Sequence, residues 1–89
     1  MDAVTTATVA TWMARQVRTN GVLYQDDAVE VILREFGDAF VYDNENGNIA
    51  IARPVLRAFR NLTNGSVVWD REHRMWRPRE PSDAPGRQQ

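Results

Sequence analysis

Three Asn-Gly dipeptides, at positions 20–21, 46–47 and 64–65, cut this chain into short segments. Both residues take up the left-handed backbone conformation more readily than others, so each pair either stops a helix or makes a tight turn. Gly37 supplies a fourth break. Whatever forms between these points is a short helix or a short strand, and the fold has to be assembled from several of them.

The pattern within each segment says which. Val9, Trp12, Met13 and Val17 recur at helical spacing, with Arg15 and Arg18 on other faces. Thr5 or Thr6 can cap the start and Asn20-Gly21 the end, which predicts a first helix over about residues 6–19. Val22-Leu23-Tyr24 is a short run with β preference. Asp27 and Glu30 then match the D-x-x-E pattern of a capping box, followed by Ala28, Val29, Ile32, Leu33 and Phe36 as the apolar face of a second helix ending at Gly37. Residues 38–52 read either as a tight hairpin around Asn46-Gly47 or as a long ordered loop. Pro54 is tolerated only in a first turn, so the third helix begins near Ala52 or Arg53, with Val55, Leu56, Phe59 and Leu62 on its apolar side. Val67-Val68-Trp69 and Met75-Trp76-Arg77 are strands about a polar turn at 71–74, in a register that sets Trp69 opposite Trp76. The sum is an α+β, mostly α fold: three helices with a C-terminal two-stranded β-hairpin, one domain over residues 1–78. A flexible Pro-rich tail is expected over 79–89, where the composition cannot bury a core.

At 89 residues the chain has no room for a deep substrate cleft. It has no cysteine and one histidine, which removes disulfides, thiolate metal sites, cysteine nucleophiles and multi-histidine metal centres. No apolar run approaches the roughly 18 residues of a membrane span, and no signal-peptide pattern opens the chain. The expectation is a soluble, cytoplasmic protein with no membrane partner, no cofactor and no small-molecule substrate.

Charge is distributed unevenly. The formal net charge is −1. Residues 1–52 carry eight acids (Asp2, Asp26, Asp27, Glu30, Glu35, Asp38, Asp43, Glu45) against Arg15, Arg18 and Arg34, a net of −5. Residues 53–79 carry seven arginines (53, 57, 60, 71, 74, 77 and 79) against Asp70 and Glu72, a net of +5. Every basic side chain is Arg, whose fork binds carboxylate and phosphate bidentately. A basic half within an acidic protein still meets anions through its local field.

Helix, short strand, helix, helix and terminal hairpin, with an N-G-V-L-Y run into helix two and a V-V-W-D…M-W-R hairpin, resembles a winged helix-turn-helix domain over about residues 6–79. The chain also resembles small uncharacterised single-domain proteins of bacteria and phages that carry an N-E-N-G-N loop followed by V-L-x-A-F-R, a group that adds no chemistry. The winged-helix resemblance implies that helix three enters the major groove and the wing touches backbone or minor groove. By position this points to Arg53, Arg57, Arg60 and Asn64, at i, i+4, i+7 and i+11 on one helical stripe, and to Arg71, His73 and Arg74 in the wing, with Arg77 beyond. One departure stands out: residues 38–52 separate helices two and three, where the family has a short turn. An insertion of that size shields the recognition helix or re-aims it.

Each signal has a plainer reading beside it. The Arg stripe and basic wing are either a phosphate-binding surface or a solvated face paired with the acidic half. The Trp69/Trp76 pair is a base-stacking platform or a core closure, and the area a domain this small must bury favours the core. His73 is an exposed turn residue or a phosphate contact. Asp43 to Asn48 invites a calcium-loop reading, but aligning Gly47 with that loop's glycine puts Tyr42 at the first ligand position and Arg53 where the bidentate acid belongs. Asp26, Asp27 and Glu30 serve a helix start without needing a reaction, and no acid, base and nucleophile converge anywhere in the sequence. The expected function is therefore non-enzymatic: binding of double-stranded DNA through helix three and the wing, or alternatively a protein-protein interaction module or homo-oligomer with no nucleic-acid partner.

Overall fold

The computed structural model describes residues 4–80. Most of the tail expected at 79–89 thus lies outside the described residues. Within them the chain is α+β and mostly helical. In chain order it forms helix α1 (Thr6–Asn20), strand β1 (Leu23–Tyr24), helix α2 (Gln25–Glu35), a 3-10 turn at Asp38–Phe40, strands β2 (Val41–Asp43) and β3 (Ile49–Ile51), helix α3 (Arg53–Thr63), and strands β4 (Val67–Asp70) and β5 (Met75–Pro78).

The first helix starts where the sequence predicts. The Thr5 hydroxyl accepts the N–H of Thr8 at 3.3 Å, and the Thr8 hydroxyl accepts the N–H of Thr5 at 3.3 Å, so each backbone donor at the helix start is satisfied by the other residue's side chain. Gly21, at φ 79°, ends it by donating to the Val17 carbonyl at 2.8 Å. Val9, Ala10, Met13 and Val17 are buried along its length, and Trp12 packs edge-on against Phe36 with ring centroids 6.0 Å apart.

The second helix does not use the expected Asp27–Glu30 capping box. It begins three residues earlier, at Gln25, behind an extended Tyr24 that makes no side-chain cap. The reason is tertiary. The Gln25 N–H donates 2.9 Å to the carbonyl of Arg74, so the turn between β4 and β5 provides the acceptor that a capping side chain otherwise would. Asp26 and Asp27 fall in the first turn, where the helix dipole favours them.

Residues 38–52 form a hairpin, with Val41 opposite Ile51 and Asp43 opposite Ile49. The Asn44 side-chain oxygen accepts the N–H groups of Asn46 and Asn48, both at 3.0 Å, and ties the connection together from inside. Ala50 and Ile51 are buried, which fixes the hairpin on the core side of α2.

Pro54 sits in the first turn of α3, as its missing N–H requires. Asn64 leaves the helix in the left-handed conformation at φ 42°. The terminal hairpin has the expected register, Trp69 opposite Trp76, but the sheet is larger than a hairpin. Strand β1 pairs with the free side of β5, Leu23 against Trp76, giving the three-stranded order β1-β5-β4. Trp76 is 2% exposed and lies between Phe59 and Trp69, with ring centroids 5.6 and 4.7 Å away. It is therefore a core residue; Trp69 is half-buried at the core's edge.

Two positions expected in the core are not there. Leu33 and Leu62 are 39% and 54% exposed. Both lie on helix faces that periodicity assigns inward, but Leu62 sits in the last turn of α3, overhanging a shallow depression shared with Val17, Val67 and Pro78. Leu33 borders an open cleft against the β2–β3 hairpin.

Candidate nucleic-acid interface

The basic stripe is a direct product of how α3 packs. Val55 and Phe59 are fully buried on one side of that helix. Arg53, Arg57 and Arg60 repeat at intervals of four and three, which sets them on the opposite side, and all three are exposed. None forms an ion pair among the described residues. Asn64 is exposed at the end of the same stripe, and its left-handed backbone accounts for an asparagine there without a ligand.

The turn between β4 and β5 is arranged differently. Arg71 is exposed and makes no ion pair among the described residues. His73 is bound to Asp70 twice: its N–H donates to one carboxylate oxygen at 3.1 Å, and its ring Nδ1 lies 3.0 Å from the other. Arg77 approaches the same carboxylate at 3.7 Å. The His73 side-chain hydrogen bond, then its backbone N–H, hold the Asp70 carboxyl below its ordinary value, with the charges of His73 and Arg77 adding to the effect. Arg74 reaches across to α2, donating to the Gln25 side-chain oxygen at 3.3 Å and lying 3.5 Å from Asp26.

The sequence-predicted residues therefore divide. Arg53, Arg57 and Arg60 are brought together on one open helix face. The turn residues lie at the far end of the hairpin from its base, about 13 Å along strand β4. The base of that hairpin is fastened beside the end of α3, where Ser66 donates to the Thr63 carbonyl and Arg79 to the Ser66 carbonyl, each at 2.8 Å. Two residues that shape the turn were not among the candidates, Asp70 and Gln25. The D-x-x-H spacing of Asp70 and His73 signals the first, since an Asp side chain commonly caps a turn a few residues on. Nothing local signals the second.

A depression of about 480 Å³ is bounded by α1 and the end of α2 and offers Thr8, Thr11 and Arg15 as polar side chains. Among the described residues no three His, Asp or Glu side chains gather as metal ligands, and no helix is long and apolar enough to cross a membrane.

No curated protein and no solved structure matches the chain. A family model does, over residues 5–78, which spans all three helices and both sheets. The chain belongs to that family, DUF6953, a family of unknown function.

Proposed function

We propose that the protein is a small non-enzymatic winged-helix module that binds double-stranded DNA in the cytoplasm, with α3 as the helix presented to the duplex. The observation that carries this reading is the stripe of Arg53, Arg57 and Arg60, opposite Val55 and Phe59 and without carboxylate partners among the described residues. A short strand between α1 and α2 that completes the sheet of the terminal hairpin supports the winged-helix reading. The β2–β3 hairpin packs beside α2 with Ala50 and Ile51 buried, and Arg53, Arg57 and Arg60 remain exposed beside this insertion. In this reading Arg53, Arg57 and Arg60 contact phosphates and guanine edges, and Arg71 adds a backbone contact from the wing. His73 and Arg74 join only by leaving Asp70 and Asp26.

Fluorescence anisotropy with a labelled mixed-sequence duplex tests the proposal. Each phosphate neutralised by an arginine contributes about −0.9 to the slope of log K against log salt, so the four arginines predict a slope of about −3 to −4. Absence of binding at low salt, or a flat salt dependence, rules the reading out.

A further inference from the structure

Outside the arginine stripe the surface carries two apolar patches of opposite charge. The first is the cleft between α2 and the β2–β3 hairpin, lined by Leu33, Val41, Tyr42 and Ile49 with Asp38 and Asp43 at its rim. Leu33, Tyr42 and Ile49 are 39%, 43% and 45% exposed. The second is the depression where the end of α3 meets α1 and the hairpin base, lined by Ala14, Val17, Leu62, Val67 and Pro78 with Arg18 beside them. Leu62, at 54%, is the most exposed large apolar side chain among the described residues. Asp38, Asp43 and Arg18 form no ion pairs among the described residues.

The geometry points to head-to-tail self-association, with the Leu62 patch of one copy seated in the Leu33–Ile49 cleft of the next. Charge selects this pairing over the symmetric ones. Packing the acidic cleft against itself brings Asp38 and Asp43 of both copies together, and packing the Leu62 patch against itself opposes two Arg18 side chains. Only the mixed contact sets Arg18 against Asp38 or Asp43 while covering apolar surface on both sides. Because the two patches are different surfaces, each added copy leaves one of each open, and the association extends as a chain rather than closing as a twofold dimer. The patches are small, below the standard size of a stable interface, so the contact is weak and concentration-dependent.

Sedimentation velocity from low micromolar to about 1 mM protein tests this, since a contact of this size belongs in the upper part of that range. The expected result is a weight-average mass that rises steadily above the 10.2 kDa monomer. Leu62→Glu and Ile49→Lys each leave one patch intact, and each alone should remain monomeric. Their equimolar mixture should form dimers and stop there, because one intact cleft meets one intact Leu62 patch. As a charge test, Arg18→Asp should weaken association and the added Asp43→Arg should restore it. Circular dichroism confirms that each variant is folded, and the double variant decides the matter if either apolar substitution unfolds the chain. Monomeric wild type throughout the range, assembly that survives both single variants, or a mixture that stays monomeric overturns the inference.

Discussion

The guanidinium of Arg74 lies 3.5 Å from the Asp26 carboxylate, 48 residues away in sequence, in the same place where the Arg74 carbonyl receives the first N–H of α2. One residue thus ties the tip of the terminal hairpin to the start of a helix, by its backbone and by its side chain. Backbone bond and side-chain pair contribute differently: the first satisfies a helix-end donor, and the second is an exposed ion pair worth at most about 1 kcal/mol.

That division gives a first prediction. Asp26→Asn removes the ion pair and leaves the backbone bond. Stability measured by urea unfolding should fall by no more than about 1 kcal/mol, the combined value of an exposed pair and a first-turn acid. With Arg74 released, DNA binding should tighten at low salt, and the salt slope should steepen by about one phosphate contact. Unchanged affinity and slope would show that Arg74 takes no part in binding.

Helix α3 separates binding from folding. Arg57→Ala should leave stability within about 0.5 kcal/mol of wild type, as expected for an exposed position. It should also reduce the salt slope by about 1. Phe59→Ala, at a residue with no exposed surface and a ring 5.6 Å from that of Trp76, should cost about 3 to 5 kcal/mol. Denaturant melts of the two variants side by side check the assignment of the two faces. Unfolding by Arg57→Ala would reverse it.

Asp70 makes stability depend on acid. Its hydrogen bonds with His73 lower its folded-state value below the ordinary 3.8, so the unfolded chain takes up a proton at higher pH than the folded one. The stabilisation is complete above 3.8 and is lost as pH falls through the lower folded value. Urea unfolding of wild type and Asp70→Asn should therefore differ most near neutral pH and converge in strong acid. A difference that stays constant down the titration would show that the carboxylate's charge is irrelevant to the turn.

The start of α1 gives a separate stability test. Thr5→Ala removes the hydroxyl that accepts the Thr8 N–H and should cost about 1 kcal/mol. Thr5→Ser keeps an acceptor in place and should recover most of that loss. Thermal melts of the pair distinguish a capping role from a general surface effect.

The features readable in the sequence are those decided by neighbours along the chain. Gly21 and Asn64 end helices because their left-handed backbone is a local property, and Pro54 fixes the start of α3 for the same kind of reason. The pairing of Trp69 with Trp76 follows from a four-residue turn and the two-residue alternation of strands. The beginning of α2 lies three residues before the one the D-x-x-E pattern predicts, because its acceptor is the carbonyl of Arg74, which no spacing near Asp27 reveals. Leu33 and Leu62 keep the helical period of core residues, yet among the described residues both remain exposed. The three arginines of α3 were legible as a stripe, since periodicity alone sets them opposite Val55 and Phe59. That Arg74 turns back to Asp26 is a matter of tertiary placement, and two oppositely charged halves of a sequence do not say which individual charges meet.

The pairing of β1 with β5 governs when this chain can fold during its synthesis. Leu23 and Tyr24 find their partners in Trp76 and Met75, and Phe59 closes against the same indole. A nascent chain still lacking residue 76 can pack α1 against α3, but Leu23 has no strand to pair with and Phe59 has no indole to close against. Native packing has to wait until the second tryptophan of the hairpin has cleared the ribosome exit tunnel, so this protein matures after translation of its sheet rather than helix by helix.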